Sequence, residues 1–279
     1  MFIPKIPIGA GIEHLIDFLV THFSFATKAF SAVMESALDV IEHGMMYLPP
    51  WLFIVIAAAL VYFLTRKNRG ITIFAVLGLL LIWNMGLWRA TMSTIALVLI
   101  STFAAILAGV PLGIASAVSR PVYRVVMPVL DVMQTMPAFV YLIPAIPFFG
   151  LGKVAAIFST VIFSMPPAIR LTCLGIKQVP TELVECAEAF GSSRWQRLVK
   201  LELPLATPTI MAGVNQTVML ALSMVVIASM IGAKGLGGEV WKAIQRLQMG
   251  NGFEAGIGIV IVAMILDRVL QKVGSRKQS

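Results

Sequence analysis

Few residues in this sequence have the type and spacing that catalysis requires. The three histidines all lie in the N-terminal tail, which leaves no histidine-based cluster for the rest of the chain. Cys173 and Cys186 match neither a zinc motif nor a disulfide framework. The phosphate-binding pattern G-x4-G-K-[ST] fails because Val154 follows Gly152-Lys153. The sequence therefore predicts that this chain is not an enzyme, holds no metal or cofactor, and does not hydrolyse ATP by itself.

One group of polar residues stands alone in a long apolar region. It consists of Asp131, Gln134 and Thr135, and no other acidic residue occurs between positions 42 and 182. Spacing of i, i+3 and i+4 puts the three side chains on one face of a helix. This face either lines a polar pathway or is structural, with Asp131 paired to Arg120, Arg124 or a base of a neighbouring loop.

A second polar group lies in another apolar stretch. It consists of Asn215, Gln216 and Ser223, and the last two share a helical face at i, i+7. These side chains either line a pathway or hydrogen-bond between helices, where each bond contributes about 0.6 kcal/mol in a membrane. Elsewhere, Gly109 and Gly113 form a G-x-x-x-G pair, which favours close helix approach.

Composition indicates which elements must position these residues. Hydrophobic residues make up 59% of the 279 residues and charged residues 12%, against roughly 25% charged in soluble domains. So few charges cannot cover the surface of a soluble fold of this size. The sequence therefore predicts an all-α integral membrane protein, and it contains no basic and aromatic patch typical of nucleic-acid binding.

Seven apolar stretches approach the length of about 20 residues that a membrane-spanning helix needs. They are 46–65, 71–88, 92–118, 125–149, 154–169, 209–231 and 255–269. The fourth stretch contains four prolines, at 128, 137, 144 and 147, which predict a broken or kinked segment. Such a break favours a pathway, because irregular backbone at membrane depth requires surrounding protein or a water-lined cavity, although proline also kinks structural helices.

Basic residues predict the orientation of the chain. With residues 66–69 in the cytoplasm, 14 of the 21 lysines and arginines lie in cytoplasmic segments and 5 in outer loops. The N-terminal tail is then outside and the C-terminus cytoplasmic.

The tail, residues 1–45, is predicted to contain an amphipathic helix at the outer interface. Glu35, Asp39 and Glu42 form an acidic stripe at i, i+4, i+7 on this helix. The opposite side carries apolar residues: Val33, Ala37, Val40 and Ile41. This helix is either an interfacial anchor or a docking surface for a partner.

The longest polar stretch between the predicted spans is residues 170–208, which is predicted to form two short helices. Pro180-Thr181 opens the first helix and Gly191 closes it, while Ser192-Ser193 offers N-caps for the second. The second helix is expected to run over 194–203 and to stop at Pro204. Its apolar ridge consists of Trp195, Leu198 and 201–203, and its charged side of Arg194, Arg197 and Lys200. An exposed ridge of this kind favours docking of a partner protein.

The same loop resembles the EAA motif of ATP-binding-cassette importer permeases. The motif is E-A-A, three residues, G, nine residues, I, one residue, L-P, and this chain keeps every spacing. Cys186 replaces the first alanine and Leu201 the isoleucine, and both keep a small or aliphatic character. The resemblance implies that the loop docks in a groove of a separate ATPase subunit, which uses ATP-Mg. It assigns this coupling role to Glu185, Ala187, Gly191, Leu201, Leu203 and Pro204.

Two further stretches, 130–152 and 213–240, resemble the permeases for glycine betaine, proline betaine and choline. The likeness covers roughly residues 90–270 and implies the type I importer fold for that core, preceded by two accessory helices over 46–89 and followed by a cytoplasmic tail over 271–279. It also implies a homodimer in the inner membrane, two ATPase subunits and an external solute-binding protein. Three aromatic residues could contact an organic cation: Phe139, Tyr141 and Trp241.

Three alternatives to this function stay open in the sequence. The first is a permease of the same superfamily for another small solute, such as an amino acid or a phosphonate. The second is a secondary transporter or channel without an ATPase, which paired inverted halves would indicate. The third is a structural membrane scaffold, which leaves the spacing of the loop unexplained.

Overall fold

The computed structural model describes residues 8–274, which contain helices and no β-strand. The helices are α1 (Ile8–His22), α2 (Ser24–Tyr47), α3 (Pro50–Leu64), α4 (Arg69–Asn84), α5 (Trp88–Val118), α6 (Arg120–Thr135), a 3₁₀ turn (Ala138–Tyr141), α7 (Leu142–Phe149), α8 (Lys153–Lys177), α9 (Thr181–Ala189), α10 (Arg194–Arg197), a π-turn (Leu198–Glu202), α11 (Leu203–Ser229), α12 (Leu236–Gln245) and α13 (Met249–Gly274). This order confirms the predicted all-α class.

Three helical segments of the described residues are long and apolar enough to cross a membrane alone. They are α5, α8 and the continuous stretch Arg194–Ser229. Two bent pairs bring the number to five if each counts as one span. Helices α3 and α4, with 15 and 16 residues, are about 23 Å long and shorter than the roughly 30 Å apolar core of a bilayer. The seven predicted spans therefore stay a prediction.

The predicted break in the fourth apolar stretch is confirmed. The segments Arg120–Thr135 and Ala138–Phe149 meet at an angle of 114°. Proline has no backbone N–H and pushes the residue before it out of the helical region, and Met136, before Pro137, is extended with ψ 134°. Helix α6 therefore ends where this pair begins.

Close approach of α5, α8 and α11 builds the centre of the bundle. A Cβ at Gly109 would lie 3.0 Å from the Cβ of Ala168, and one at Gly113 would lie 2.6 Å from the carbonyl oxygen of Ile169. These contacts confirm the role predicted for the G-x-x-x-G pair. The residue numbers of the contacting positions increase in the same direction along both helices, so α5 and α8 run parallel to each other.

Helix α11 runs antiparallel to α8 through a similar contact. A Cβ at Gly175 would lie 3.2 Å from that of Ala206, whereas one at Gly213 would lie 3.0 Å from the carbonyl oxygen of Pro167. The end of α8 and the start of α11 therefore lie at the same end of the bundle. The residues between them, α9 and α10, cap this end, which we call the loop end.

Helix α2 turns part of its acidic stripe toward the bundle, at the end opposite the loop. Glu42 accepts a hydrogen bond from Ser93 of α5 at 2.6 Å and pairs with Lys153 of α8 at 2.9 Å. Asp39 lies 3.5 Å from the same lysine. The apolar Val40 is 70% exposed. Two residues of the acidic stripe therefore meet a base and a hydroxyl of the bundle, whereas Ala37 and Ile41 of the apolar side pack against the core.

Gly113→Ala is expected to destabilise the bundle by about 1–3 kcal/mol, because the added methyl group would overlap the backbone of α8. The measurement is the midpoint of thermal unfolding of the purified protein in detergent. Gly256→Ala in α13 is the matched control, since a Cβ there meets nothing within 4 Å. Equal midpoints for the two variants would contradict the packing role of Gly113.

Candidate functional site

The two-helix loop is shorter than predicted, although it has the predicted form. It was expected to begin at Arg170, but α8 continues to Lys177 because Thr172, Cys173 and Ile176 are buried against the bundle. Helix α11 begins at Leu203, so the residues outside both long helices are 178–202.

Helix α9 forms the first arm of the loop and has no buried residue. It follows Pro180 and carries Glu182 in its first turn, where an acidic side chain favours the positive end of the helix. Gly191 has a φ of +77°, a conformation that suits glycine and ends the helix as predicted. The candidate coupling residue Glu185 is exposed on this arm, and Ala187 is half-buried.

The second arm begins with a capping box and does not stop where it was predicted to stop. The Ser193 side chain accepts from the backbone N–H of Gln196, whose side chain accepts from the N–H of Ser193. Pro204 was expected to end this helix, but Arg194–Ser229 is continuous. A proline ring clashes with the carbonyl four residues earlier, and the wider π-turn over Leu198–Glu202 accommodates it.

Arg197 joins the two arms of the loop. Its Nε donates to Glu202 at 2.7 Å, and its Nη1 donates to Glu188 of α9. The Glu202 side chain is only 10% exposed. Arg197 was predicted on the charged side of the second helix, with Arg194 and Lys200. An ordinary α-helix brings together side chains at i, i+3 and i+4, and Glu202 lies at i+5. The π-turn brings Arg197 and Glu202 together. An arginine and a glutamate five residues apart are the sequence feature that could have indicated this pair.

The exposed apolar surface of the loop also differs from the predicted ridge. Leu198 is buried with Ile176 and Ala206, so it belongs to the core beneath the loop. Trp195 is 70% exposed and Phe190 87% exposed. The remaining candidate coupling residues lie at the base of the second arm, where Leu201 and Leu203 are half-buried and Pro204 is exposed. The loop therefore presents two large aromatic rings and an acidic helix beyond the bundle.

The polar group on α6 has one charged partner. Asp131 accepts a hydrogen bond from Nη2 of Arg170 on α8 at 2.8 Å. Its partner is therefore neither Arg120 nor Arg124, but a base of the stretch that was predicted as a loop. Gln134 and Thr135 are exposed, and Thr135 donates to the carbonyl of its own turn.

The polar group on α11 is divided between packing and exposure. Asn215 donates to Asp267 of α13 at 2.8 Å, which is the interhelical hydrogen bond that the sequence left open for this group, with a partner that it did not indicate. Gln216 and Ser223 are exposed on α11. No group of three or more histidine, cysteine or acidic residues in the described part of the chain could hold a metal ion.

The three candidate aromatic residues lie in different surroundings. The Tyr141 ring is buried, and its hydroxyl donates to the carbonyl of Met133, whereas Phe139 is 52% exposed. Trp241, which the sequence placed in an outer loop, lies in helix α12. The structure therefore does not assemble them into one cage.

An α-helical membrane bundle that presents an exposed two-helix loop with this motif is the permease subunit of an ATP-binding-cassette transporter. Residues 109–272 match the family model described as binding-protein-dependent transport system inner membrane component. The chain belongs to this family. It is a transport subunit of the inner membrane that works with a separate ATPase and a substrate-binding protein, and ATP hydrolysis takes place on the ATPase.

Relatives and a solved structure agree with this family. The chain is 51% identical to the glycine betaine/carnitine transport permease protein GbuB of Listeria monocytogenes, over 99% of each chain. It is 44% identical to the glycine betaine/proline betaine transport system permease protein ProW of Escherichia coli, over 98% of this chain and 77% of that one. A chain of the MetNI methionine ABC transporter has the same fold, with a TM-score of 0.62 and 22% identity over 68% of this chain and 95% of that one.

Arg197→Ala is expected to loosen the loop by about 3 kcal/mol, because it leaves the buried Glu202 carboxylate without its cation. Hydrogen exchange of the amides in residues 181–202 measures this change and should become faster. Arg194→Ala, at an exposed neighbouring position, is the control and should leave exchange unchanged. Exchange that is equally slow in both variants would show that Arg197 does not hold the two arms together.

Proposed function

We propose that this chain is the permease of an ATP-driven importer for compatible solutes that carry a quaternary ammonium group. Glycine betaine, proline betaine and choline are the solutes of this class, and their uptake protects cells against osmotic stress. The names of GbuB and ProW support this substrate class, because both are similar to this chain over nearly its whole length. The observation that carries the transport function is the exposed two-helix loop with its complete motif spacing.

In the proposed orientation the loop end faces the cytoplasm. The N-terminal tail then lies outside and the C-terminus inside, as the distribution of lysine and arginine predicts. The parallel course of α5 and α8 agrees with this assignment, because it puts the ends of both helices on the loop side. Residues 90–270 would form the transport core, and α3 and α4 would be accessory helices.

We further propose that two copies of the chain form the membrane part, with two ATPase subunits and one external binding protein. Exposed polar side chains on two helices of the bundle support this arrangement, since polar groups within a membrane face the interior of a bundle or water rather than lipid. They are Asp131, Gln134 and Thr135 on α6, and Gln216 and Ser223 on α11. In a dimer these residues would line the pathway, whereas Asn215 would hold α11 to α13.

Coupling to ATP would proceed through the loop as one unit. The aromatic rings of Phe190 and Trp195 and the exposed arm α9 would sit in a groove of the ATPase. Closure of the two ATPase subunits would move both loops, and the continuous helix Arg194–Ser229 would carry that movement to the pathway. Such a movement would shift the population between inward-open and outward-open states. The chain itself would bind no cofactor, and ATP-Mg would bind to the ATPase.

Gly191→Val is expected to abolish ATP-driven uptake of glycine betaine while membrane insertion stays normal. A β-branched residue at φ +77° costs about 1–3 kcal/mol and would displace α9 from the second arm. Uptake into cells and co-purification of the ATPase with the permease are the measurements. Gly191→Asn is the matched control, since asparagine tolerates positive φ and should keep both. Normal uptake by the valine variant would refute the coupling role of this turn.

Cys186 offers a test of the proposed orientation, because its thiol is free and exposed on α9 whereas Cys173 is buried. A membrane-impermeant maleimide should label the permease in inside-out vesicles and leave it unlabelled in intact spheroplasts. Bound ATPase should reduce the labelling. The variant Cys186→Ser is the control, because any label that it still takes up must come from Cys173. If spheroplasts of the wild type are labelled and those of this variant are not, the loop faces the outside and the proposed orientation is wrong.

A further inference from the structure

One ion pair between two helices of the bundle lies on a face that a single chain leaves uncovered. Arg170 donates from Nη2 to Asp131 across 2.8 Å, and the pair joins α8 to α6. The side chain of Asp131 is 67% exposed and that of Arg170 is 38% exposed. Arg170 stands about two thirds of the way along α8, so the pair lies well inside the helix and apart from the loop.

Lipid is an unsuitable neighbour for this pair. Charged side chains within a membrane face the interior of a bundle or a water-filled cavity, because hydrocarbon leaves them unsolvated. Gln134 and Thr135 are exposed on the same helix within four residues of Asp131, so the uncovered face has several polar groups. Within a membrane, a face with these polar groups would need water or a polar solute beside it.

The guanidinium of Arg170 also has unused hydrogen-bonding capacity. Its Nη2 is used by Asp131, whereas its Nε is buried and has no hydrogen-bond partner among the described residues. A solute carboxylate would therefore meet the exposed Nη2 edge of the guanidinium, where it could take the place of Asp131 and keep the charge-assisted bond.

We propose that Asp131 and Arg170 recognise the two charges of a zwitterionic solute during its passage. The inference rests on the proposed function, because glycine betaine and proline betaine carry both a quaternary ammonium group and a carboxylate. The ammonium group, which has no N–H, contacts Asp131 through charge alone. The carboxylate accepts hydrogen bonds from Arg170. Without solute the two residues pair with each other and close this part of the pathway.

The selectivity of the proposed site for solutes follows from the pairing of charges. A zwitterion replaces both halves of the protein ion pair, so no charge stays unpaired in a region of low dielectric. A solute with one charge or none satisfies only one half or neither. Among the proposed solutes, this site therefore favours the betaines over choline, which has no carboxylate.

The experiment uses the complete transporter, with its ATPase and binding protein, reconstituted in lipid vesicles. The double variant Asp131→Asn/Arg170→Gln removes both charges and keeps a polar side chain at each position. The expected result is about a tenfold drop in glycine betaine imported per ATP hydrolysed, because charge-assisted bonds are lost. Binding-protein-stimulated ATP hydrolysis and the thermal midpoint should stay at the wild-type values. The single variant Arg170→Lys, which keeps the charge but not the planar donors, should give a ratio between those of the wild type and the double variant.

The control is Glu239→Gln/Lys242→Gln, which neutralises an exposed ion pair of α12 and should leave the ratio unchanged. An unchanged ratio in the Asp131 and Arg170 double variant would overturn the recognition role. A parallel fall of uptake, hydrolysis and thermal midpoint would also overturn it, since the pair would then only hold α6 to α8. If the wild-type transporter imports no betaine at all, the proposed function itself fails and this inference fails with it.

Discussion

The rest of the structure depends on the direct approach of the α5, α8 and α11 backbones. Lipid tails are as apolar as leucine, so burial of apolar surface does little to hold membrane helices together, and close contact through small residues has this role. Gly113 and Gly175 supply such contacts on the two sides of α8. Because these contacts fix the directions of the three helices, they also put both ends of the two-helix loop on the same end of the bundle.

The loop is attached to that centre in two different ways. Its second arm is part of one continuous helix, Arg194–Ser229, so it cannot move without moving α11. Its first arm is attached through the turn at Gly191 and through the two acceptors of Arg197. In the proposed coupling, a force on the exposed arm α9 would be transmitted to the helix that carries Gln216 and Ser223. This connection would give a physical route from an ATPase subunit to those polar groups.

Much of this organisation was predictable from local patterns. The all-α class followed from the low charge content, and the break after α6 followed from Pro137, because proline removes a helical hydrogen bond wherever it stands. The turn at Gly191 and the cap at Ser193 were also predictable, since both depend only on neighbouring residues. The partners of Asp131 and Asn215 were not, because they lie on helices that are distant in the sequence. The predicted position of Arg197 on the charged side of the loop missed its pairing with Glu202, because that pair requires a π-turn, which changes the helical period.

The sequence by itself determined that this chain is a membrane protein with an exposed loop of fixed motif spacing, because hydrophobicity, proline and glycine act locally. Only the tertiary structure decided which charges meet, since Arg170 with Asp131 and Lys153 with Glu42 are pairs between different helices. It also decided that α2 directs Glu42 toward the bundle and that Leu198 belongs to the core. These outcomes depend on which helix faces lie opposite each other, and that is set by the packing of the whole bundle.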